Sequence, residues 1–172
     1  MRDDAPGGAP RAVHDAHDGD RHVARTGVLV VGYGSDLRGD DAAGRHAAEA
    51  VGDRALPGVR VLSLPQLLPE VAVDLAGCHA VVFVDASVVD DAVRVQRLAP
   101  AAPDWRLTHH LTPPRLLALA AAVGRAPAHA FMVTVPAADV ALGTALSPAT
   151  AAALSDAVDR VVALCDEHTD HG

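Results

Sequence analysis

The sequence VLVVGYGSDLRGDDAAG, residues 28–44, begins with an apolar run rich in β-branched side chains and ends in adjacent aspartates and a glycine. The run Val28–Tyr33 predicts a buried strand, and Gly32 and Gly34 predict a turn at its carboxyl end. In an α/β sheet, such a turn brings polar groups to the end of the sheet where ligands bind. We therefore expect an α/β domain with a functional site just after its first strand.

Asp40 and Asp41 are adjacent carboxylates that repel each other and need a metal ion, a proton or a cationic neighbour. Aspartate is also a preferred N-cap, so one of the two could cap the helix predicted from about Asp41 to Val51. A cap explains one carboxylate but not both. A dinucleotide-binding loop is disfavoured because Leu37 stands where that fingerprint needs its third glycine, and because acidic residues there would repel a pyrophosphate.

The rest of the chain alternates predicted strands and helices joined by short connections. This order predicts a layered α/β domain at residues 27–168 with a mostly parallel sheet and one antiparallel edge strand. The further strands are expected at Val59–Leu64, His79–Asp85, a hairpin-like edge segment with Val93, Val95 and Leu98, and Phe131–Val135; the further helices are expected around Leu67–Leu75, at Thr112–Val123 and at Ser147–Glu167.

Composition narrows the class of protein. The formal net charge of −8 and the lack of a basic cluster argue against a nucleic-acid or anionic-membrane partner. No apolar run reaches the roughly 20 residues that a membrane span needs. Cys78 and Cys165 are distant in sequence and form no metal or redox motif, which is typical of a cytoplasmic protein with reduced thiols. Residues 1–26 are polar and predicted to be a disordered tail.

Three polar residues from separate segments are candidates for one metal site. Asp41, Glu70 and His110 each follow a predicted strand and would meet at the same end of the sheet, with His109 as the alternative imidazole. Two carboxylates and one imidazole suit an exchangeable divalent transition metal. Glu70 could instead be a favourable charge in the first turn of its helix, and the histidines could be surface groups. A nucleophilic triad is disfavoured because no Gly-x-Ser-x-Gly elbow is present.

Five short motifs carry a resemblance to a known family. Residues 32–44 are similar to the pattern Gly-x-Gly-Asn-x-Leu-x-x-Asp-Asp/Glu-Gly-x-Gly, with Ser35 in place of the asparagine. The other motifs, in order, are QLLPE at 66–70, HAVVFVDA at 79–86, THH at 108–110 and GTALSP at 143–148. Over about residues 27–165 the chain resembles the maturation endopeptidases that trim the C-terminus of the NiFe-hydrogenase large subunit.

The resemblance implies a fold and a ligand set. The fold would be a three-layer α/β/α domain, phosphorylase/hydrolase-like, with a twisted five-stranded sheet between helices. The family's metal ligands correspond to Asp41, Glu70 and His110, and His110 is preferred to His109 by its offset from the following helix.

The resemblance also implies an activity. The chain would be a metal-dependent endopeptidase that recognises a large-subunit precursor through its nickel, although zinc or cadmium could occupy the site in vitro. Asp41 and Asp40 are the expected catalytic residues, and Gly34, Ser35 and Asp36 are expected to contact the substrate. The alternatives are a non-catalytic nickel-site checkpoint, or a peptidase or nucleoside-acting enzyme of the same fold.

Overall fold

The computed structural model describes residues 27–102 and 111–169. The predicted N-terminal tail, His109 and His110 lie outside these residues. The elements in chain order are β1 (Val28–Tyr33), a short 3-10 helix (Gly39–Ala42), α1 (Ala43–Gly52), β2 (Val59–Leu64), α2 (Val71–Leu75), β3 (Ala80–Ser87), β4 (Arg94–Arg97), α3 (Pro113–Val123), β5 (His129–Pro136) and α4 (Pro148–Thr169).

The five strands form one sheet in the order β2-β1-β3-β5-β4, which confirms the predicted mostly parallel α/β fold. β1, β2, β3 and β5 are parallel, and only β4 runs antiparallel, at the edge of the sheet. The four parallel strands therefore end together. We call that side the carboxyl end of the sheet, and the side where these strands begin the amino end.

The central strands β1 and β3 are buried on both faces, because side chains alternate along each strand and helices cover both faces. In β1, Val28 and Val30 face α1 and α4, whereas Leu29 and Val31 face α2 and α3. β3 repeats this alternation, and its Phe83 is the largest fully buried side chain among the described residues. Two helices on each face give the three layers that the resemblance implied.

The structure corrects three details of the predicted elements. The segment Asp90–Leu98 does not return as a hairpin beside β3, because β4 pairs with β5 instead. β5 is apolar and lies between β3 and β4, where its side chains are largely covered. The exposed β4 is suited to the edge of the sheet. The helix after β2 is only Val71–Leu75, and a 3-10 turn precedes α1, which begins at Ala43 rather than Asp41.

Both cysteine side chains lie in the hydrophobic core. Cys78 and Cys165 are both buried thiols. Burial, with a smaller contribution from the charge of Asp166, raises the pKa of Cys165 to about 12, so this thiol is a poor nucleophile at neutral pH. Within residues 27–102 and 111–169, no helix combines the length and apolarity needed to cross a bilayer.

Candidate active site

The glycine-rich turn after β1 holds the site together by close backbone contacts. Gly34 has φ of +141°, and a Cβ atom on it would lie 1.8 Å from the carbonyl oxygen of Asp41. Its N–H donates to the carbonyl of Leu64 at the end of β2, 3.2 Å away. A Cβ on Gly44 would lie 2.4 Å from the carbonyl oxygen of Val84, so α1 begins directly against β3. Glycine at these two positions lets the aspartate-bearing 3-10 helix sit on the strand ends.

Asp40 is fully buried and binds a loop far away in sequence. Its Oδ2 accepts hydrogen bonds from the N–H groups of Ala138 and Asp139, both at 2.8 Å, and from the Ser147 hydroxyl at 2.8 Å. Its Oδ1 accepts the Ser147 N–H at 2.6 Å. Burial by itself raises the pKa of Asp40, but the hydrogen bonds from Ser147 and Asp139 outweigh burial and hold the pKa well below its usual value.

These contacts give Asp40 a structural role. It does not cap α1, as one interpretation of the sequence suggested, but fixes the loop between β5 and α4 against the glycine-rich turn. Two backbone hydrogen bonds join the same two segments: the Gly39 N–H donates to the Gly143 carbonyl at 2.8 Å, and the Asp40 N–H donates to the Asp139 carbonyl at 2.9 Å. Both carboxylate oxygens already accept hydrogen bonds away from solvent, so a catalytic role for Asp40 finds no support in this geometry.

Asp41 differs from its neighbour because it is only partly buried. Its Oδ2 accepts the backbone N–H of Ser35 at 2.8 Å, which orients the carboxylate at the carboxyl end of the sheet. The Ser35 hydroxyl in turn accepts the N–H of Leu37 at 3.3 Å, an ST-type turn. Serine thus supplies a turn-stabilising acceptor at the position where the family pattern has asparagine.

Asp85 adds a second carboxylate beside Asp41. Burial, with a smaller contribution from the charge of Asp41, raises the pKa of Asp85 to about 6 against the hydrogen bonds from the Tyr33 hydroxyl and the Ala86 N–H. Burial and the charge of Asp85 likewise raise the pKa of Tyr33 above its usual value. Sequence reasoning placed Asp85 at the end of its strand but did not include it or Tyr33 in the site. The sequence signal that could have found them is a polar residue at the carboxyl end of each buried apolar run, Tyr33 in the first and Asp85 in the third.

Asp36, a predicted substrate contact, has a cationic partner. It forms an ion pair with Arg45 of α1, which also donates from Nε to the Ser63 hydroxyl at 3.1 Å. Ser63 completes the chain by donating to Glu49 at 2.6 Å. The negative charge of Asp36 is therefore compensated locally, whereas the charge of Asp41 acts on Asp85, another carboxylate, and helps to raise its pKa.

Glu70 is exposed at the N-cap position of α2, without a side-chain capping bond. It follows β2, so it shares the carboxyl end of the sheet with Asp41. α3 leads into the start of β5, so its first residue, Pro113, also lies on this side. His110 lies outside the described residues, and the ligand set of Asp41, Glu70 and His110 stays a prediction.

Exposed apolar side chains on the loops at this end of the sheet form what we call the apolar rim. Its side chains all follow the ends of parallel strands, and Leu142 is 90% and Val89 87% exposed. A backbone hydrogen bond joins the loops that carry Leu37 and Leu142, since the N–H of Gly143 donates to the carbonyl of Leu37 at 3.1 Å. Exposed apolar groups gathered around a polar site are typical of a surface that binds a protein. The rim consists of Leu37, Leu68, Val88, Val89 and Leu142.

Solved structures share this fold. The chain superposes on the hydrogenase maturating endopeptidase HybD from E. coli with a TM-score of 0.65 and 22% identity, covering 81% of this chain and 92% of that one. The NiFe hydrogenase maturation protease HybD from Thermococcus kodakarensis gives 0.60 and 22%, covering 80% and 97%. The maturation protease HycI from the same organism gives 0.59 and 20%, covering 87% and 96%. The fold that the resemblance implied is thereby confirmed.

Other comparisons give nothing: no protein-family model matches the chain, and no curated protein does either. The likeness of this chain to known proteins is therefore one of fold. It extends over nearly the full length of the matched proteins.

Proposed function

We propose that this protein is an endopeptidase of hydrogenase maturation, which removes the C-terminal extension of a nickel-loaded large-subunit precursor. The observation that carries the proposal is the placement of Asp41. It is partly exposed, oriented by the Ser35 N–H and adjacent to Asp85, in a fold shared with named maturation endopeptidases. The buried thiol of Cys165 favours a mechanism without a cysteine nucleophile, and reduced buried thiols suit the cytoplasm.

The substrate's nickel would be recognised by Asp41, Glu70 and His110. Asp41 and Asp85 place two negative charges close together, and a divalent cation relieves that repulsion. Carboxylate and imidazole groups are suitable ligands for nickel, and an incomplete ligand set leaves positions for the substrate's own groups. A precursor without nickel would lack this attraction and would be a poor substrate.

Hydrolysis then requires an oriented water and a proton acceptor. A nickel-bound precursor can supply Lewis-acid polarisation near the scissile bond. Asp85 is better placed than Asp40 to accept the water proton, because it lies beside Asp41 and is only partly buried. The water oxygen adds to the carbonyl carbon, the C–N bond breaks, and the proton passes to the departing amine. Tyr33 holds the Asp85 carboxyl in place through its hydroxyl.

The apolar rim supports a protein substrate over a small molecule. Leu37 and Leu142 stand on adjoining loops beside the carboxylates, where a large subunit could cover them. The loops carrying them are fixed by Asp40, so this docking surface is pre-organised. A nucleoside-acting enzyme of the same fold would not need such a rim.

The test is mass spectrometry of a purified nickel-loaded precursor incubated with the full chain. Wild-type protein is expected to shorten the precursor at its C-terminus. Asp41→Asn should slow processing by roughly 100-fold or more, because it weakens a ligand and removes a charge at the reacting centre. Asp53→Asn, an exposed carboxylate at the end of α1, is the matched control and should process normally.

Each outcome separates the candidate functions. An unchanged precursor mass with wild-type protein, while the two proteins still bind in a nickel-dependent manner, would indicate the non-catalytic checkpoint. The absence of both cleavage and binding would exclude a role in hydrogenase maturation altogether. Full activity of Asp41→Asn would exclude Asp41 from the site.

A further inference from the structure

Three histidines meet at the amino end of the sheet, opposite the candidate active site. His79 immediately precedes β3, His129 is the first residue of β5, and His168 lies in the last turn of α4. One ligand nitrogen from each ring lies within 4.8 Å of the other two. The ring centroids are 4.6 Å apart for His129 and His168, 5.2 Å for His79 and His129, and 6.3 Å for His79 and His168.

The backbone holds these rings together. The carbonyl of His79 accepts the N–H groups of Ala128 at 2.9 Å and His129 at 3.3 Å, so the two strand starts are tied to each other. His168 is buried, and its ring stacks on Phe131 with the centroids 5.2 Å apart. Because the three histidines come from a strand start, a neighbouring strand start and a helix end, their proximity is a product of the tertiary fold.

We propose that this histidine cluster binds a divalent transition metal ion, with Zn²⁺ as the expected occupant. Three imidazoles with an open coordination position are an established donor set for zinc, and nickel or copper accepts the same donors. Zinc bonds of about 2.0 Å would put the ligand nitrogens roughly 3.3 Å apart, so nitrogens that now lie within 4.8 Å of one another must approach by at most about 1.5 Å. His79 and His129 are only partly buried, which leaves them room to rotate.

The position of His168 adds to the site's preference for a cation. It lies next to Thr169, the last residue of α4, where unsatisfied carbonyl groups give the helix end a partial negative charge. An ion there would join the end of α4 to the beginnings of β3 and β5. The ion would thus stabilise the folded chain, and the site is independent of the proposed peptidase chemistry at the other end of the sheet.

Arg97 would compete with a metal ion for the ring of His129. Its guanidinium donates to Nδ1 of His129 at 2.9 Å, and arginine stays protonated at all working pH values. A cation approaching this ring therefore meets a positive charge and an occupied acceptor. Arg97 is exposed on β4, so it can swing away. The structure therefore predicts that Arg97→Gln binds the metal ion more tightly than the parent chain.

The experiment measures Zn²⁺ binding by titration calorimetry on chelator-treated full-length protein. Candidate ligands elsewhere are removed first, by a background variant carrying Asp41→Asn, Glu70→Gln, His109→Gln and His110→Gln, together with His14→Gln, His17→Gln and His22→Gln within residues 1–26. This background is expected to bind one Zn²⁺ ion. Adding His79→Gln or His129→Gln should weaken binding by roughly 10-fold or more, as expected on losing a ligand. His46→Gln, an exposed histidine on α1, is the matched control and should change nothing.

A second readout protects against misfolded variants. Saturating Zn²⁺ should raise the thermal unfolding midpoint of the background protein and of His46→Gln, because the ion binds the folded state. It should raise the midpoint less in His79→Gln and His129→Gln, whose own midpoints without zinc report whether they fold. Equal Zn²⁺ affinity in the background, His79→Gln and His129→Gln proteins would overturn the proposal, as would weaker binding in Arg97→Gln.

Discussion

The two ends of the sheet are built from the same parallel strands but carry opposite chemistry. The carboxyl end has carboxylates on glycine-rich loops, with Asp41 and Asp85 close enough to repel each other. The amino end has three neighbouring imidazole rings, of which His129 and His168 stack on each other, His168 also stacks on Phe131, and His79 is tilted to both. Parallel strands make this asymmetry possible, because one end of every strand leads into a loop that can turn backbone N–H groups towards anions.

The contrast recurs within the carboxyl end, between Asp40 and Asp41. Four protein donors hold the buried Asp40, whereas the partly exposed Asp41 accepts the Ser35 N–H. One carboxylate builds the site and the other is available to a ligand. Adjacent residues on a 3-10 helix point in different directions, so chemical identity alone does not decide their roles.

The largest expected effect is on stability. Asp40→Ala should lower the free energy of unfolding by about 3–5 kcal/mol, because it leaves several buried donors unsatisfied. Asp41→Asn should cost less than about 1 kcal/mol, since one partly exposed bond is affected. Urea unfolding of both variants measures the difference. Similar losses in the two variants would break the contrast between the two carboxylates.

A smaller effect separates Asp85 from the other carboxylates. Because the pKa of Asp85 is raised to about 6 in the folded protein, protonation of Asp85 favours the folded state over the unfolded state. The stability that this provides is full below about pH 4 and is lost as the pH rises through 6. Asp85→Asn removes the charge and should stabilise the metal-free protein by roughly 1–2 kcal/mol at pH 7, with little effect at pH 4.

Urea unfolding of Asp85→Asn and the parent protein at both pH values, in chelator, measures this prediction. Asp91→Asn, an exposed carboxylate on the segment after β3, serves as the control. A gain in the stability of Asp85→Asn that is equal at pH 4 and pH 7 would show that the charge of Asp85 is not its source.

The smallest effect on folding is expected at the apolar rim. Leu142→Asp should change the free energy of unfolding by less than about 0.5 kcal/mol, because the side chain is 90% exposed. It should weaken precursor binding, by placing a charge where an apolar partner would dock. Val123→Asp, at the end of α3 and exposed, is the control for a surface charge elsewhere. Unchanged binding by Leu142→Asp would remove the rim from the docking surface.

Most of the fold followed from local patterns. β1 and β2 have the predicted limits, because an uninterrupted apolar run or a turn signal defines each. The Ser147 hydroxyl accepts the Thr150 N–H at 3.3 Å and so caps α4, which begins at Pro148, one residue from the predicted start. The pairing of β4 could not be predicted from its own residues, since β5, which separates it from β3, comes later in the chain.

The candidate site was less accessible to sequence reasoning. The motif around Asp41 indicated where a ligand would bind, but Asp85 and Tyr33 needed the strand order to bring them beside it. Nothing in the spacing of His79, His129 and His168 suggests a common site, because tens of residues separate them. Such clusters form only when strand starts and a helix end meet.

The sequence by itself determined the class of fold, the position of the functional turn and the residue types offered there, because these depend on periodicity and glycine placement within a few residues. Only the tertiary structure decided that Asp40 is buried against the loop after β5 while Asp41 stays accessible. The physical reason is that burial, hydrogen bonding and charge proximity depend on partners about 100 positions away, which no local pattern encodes.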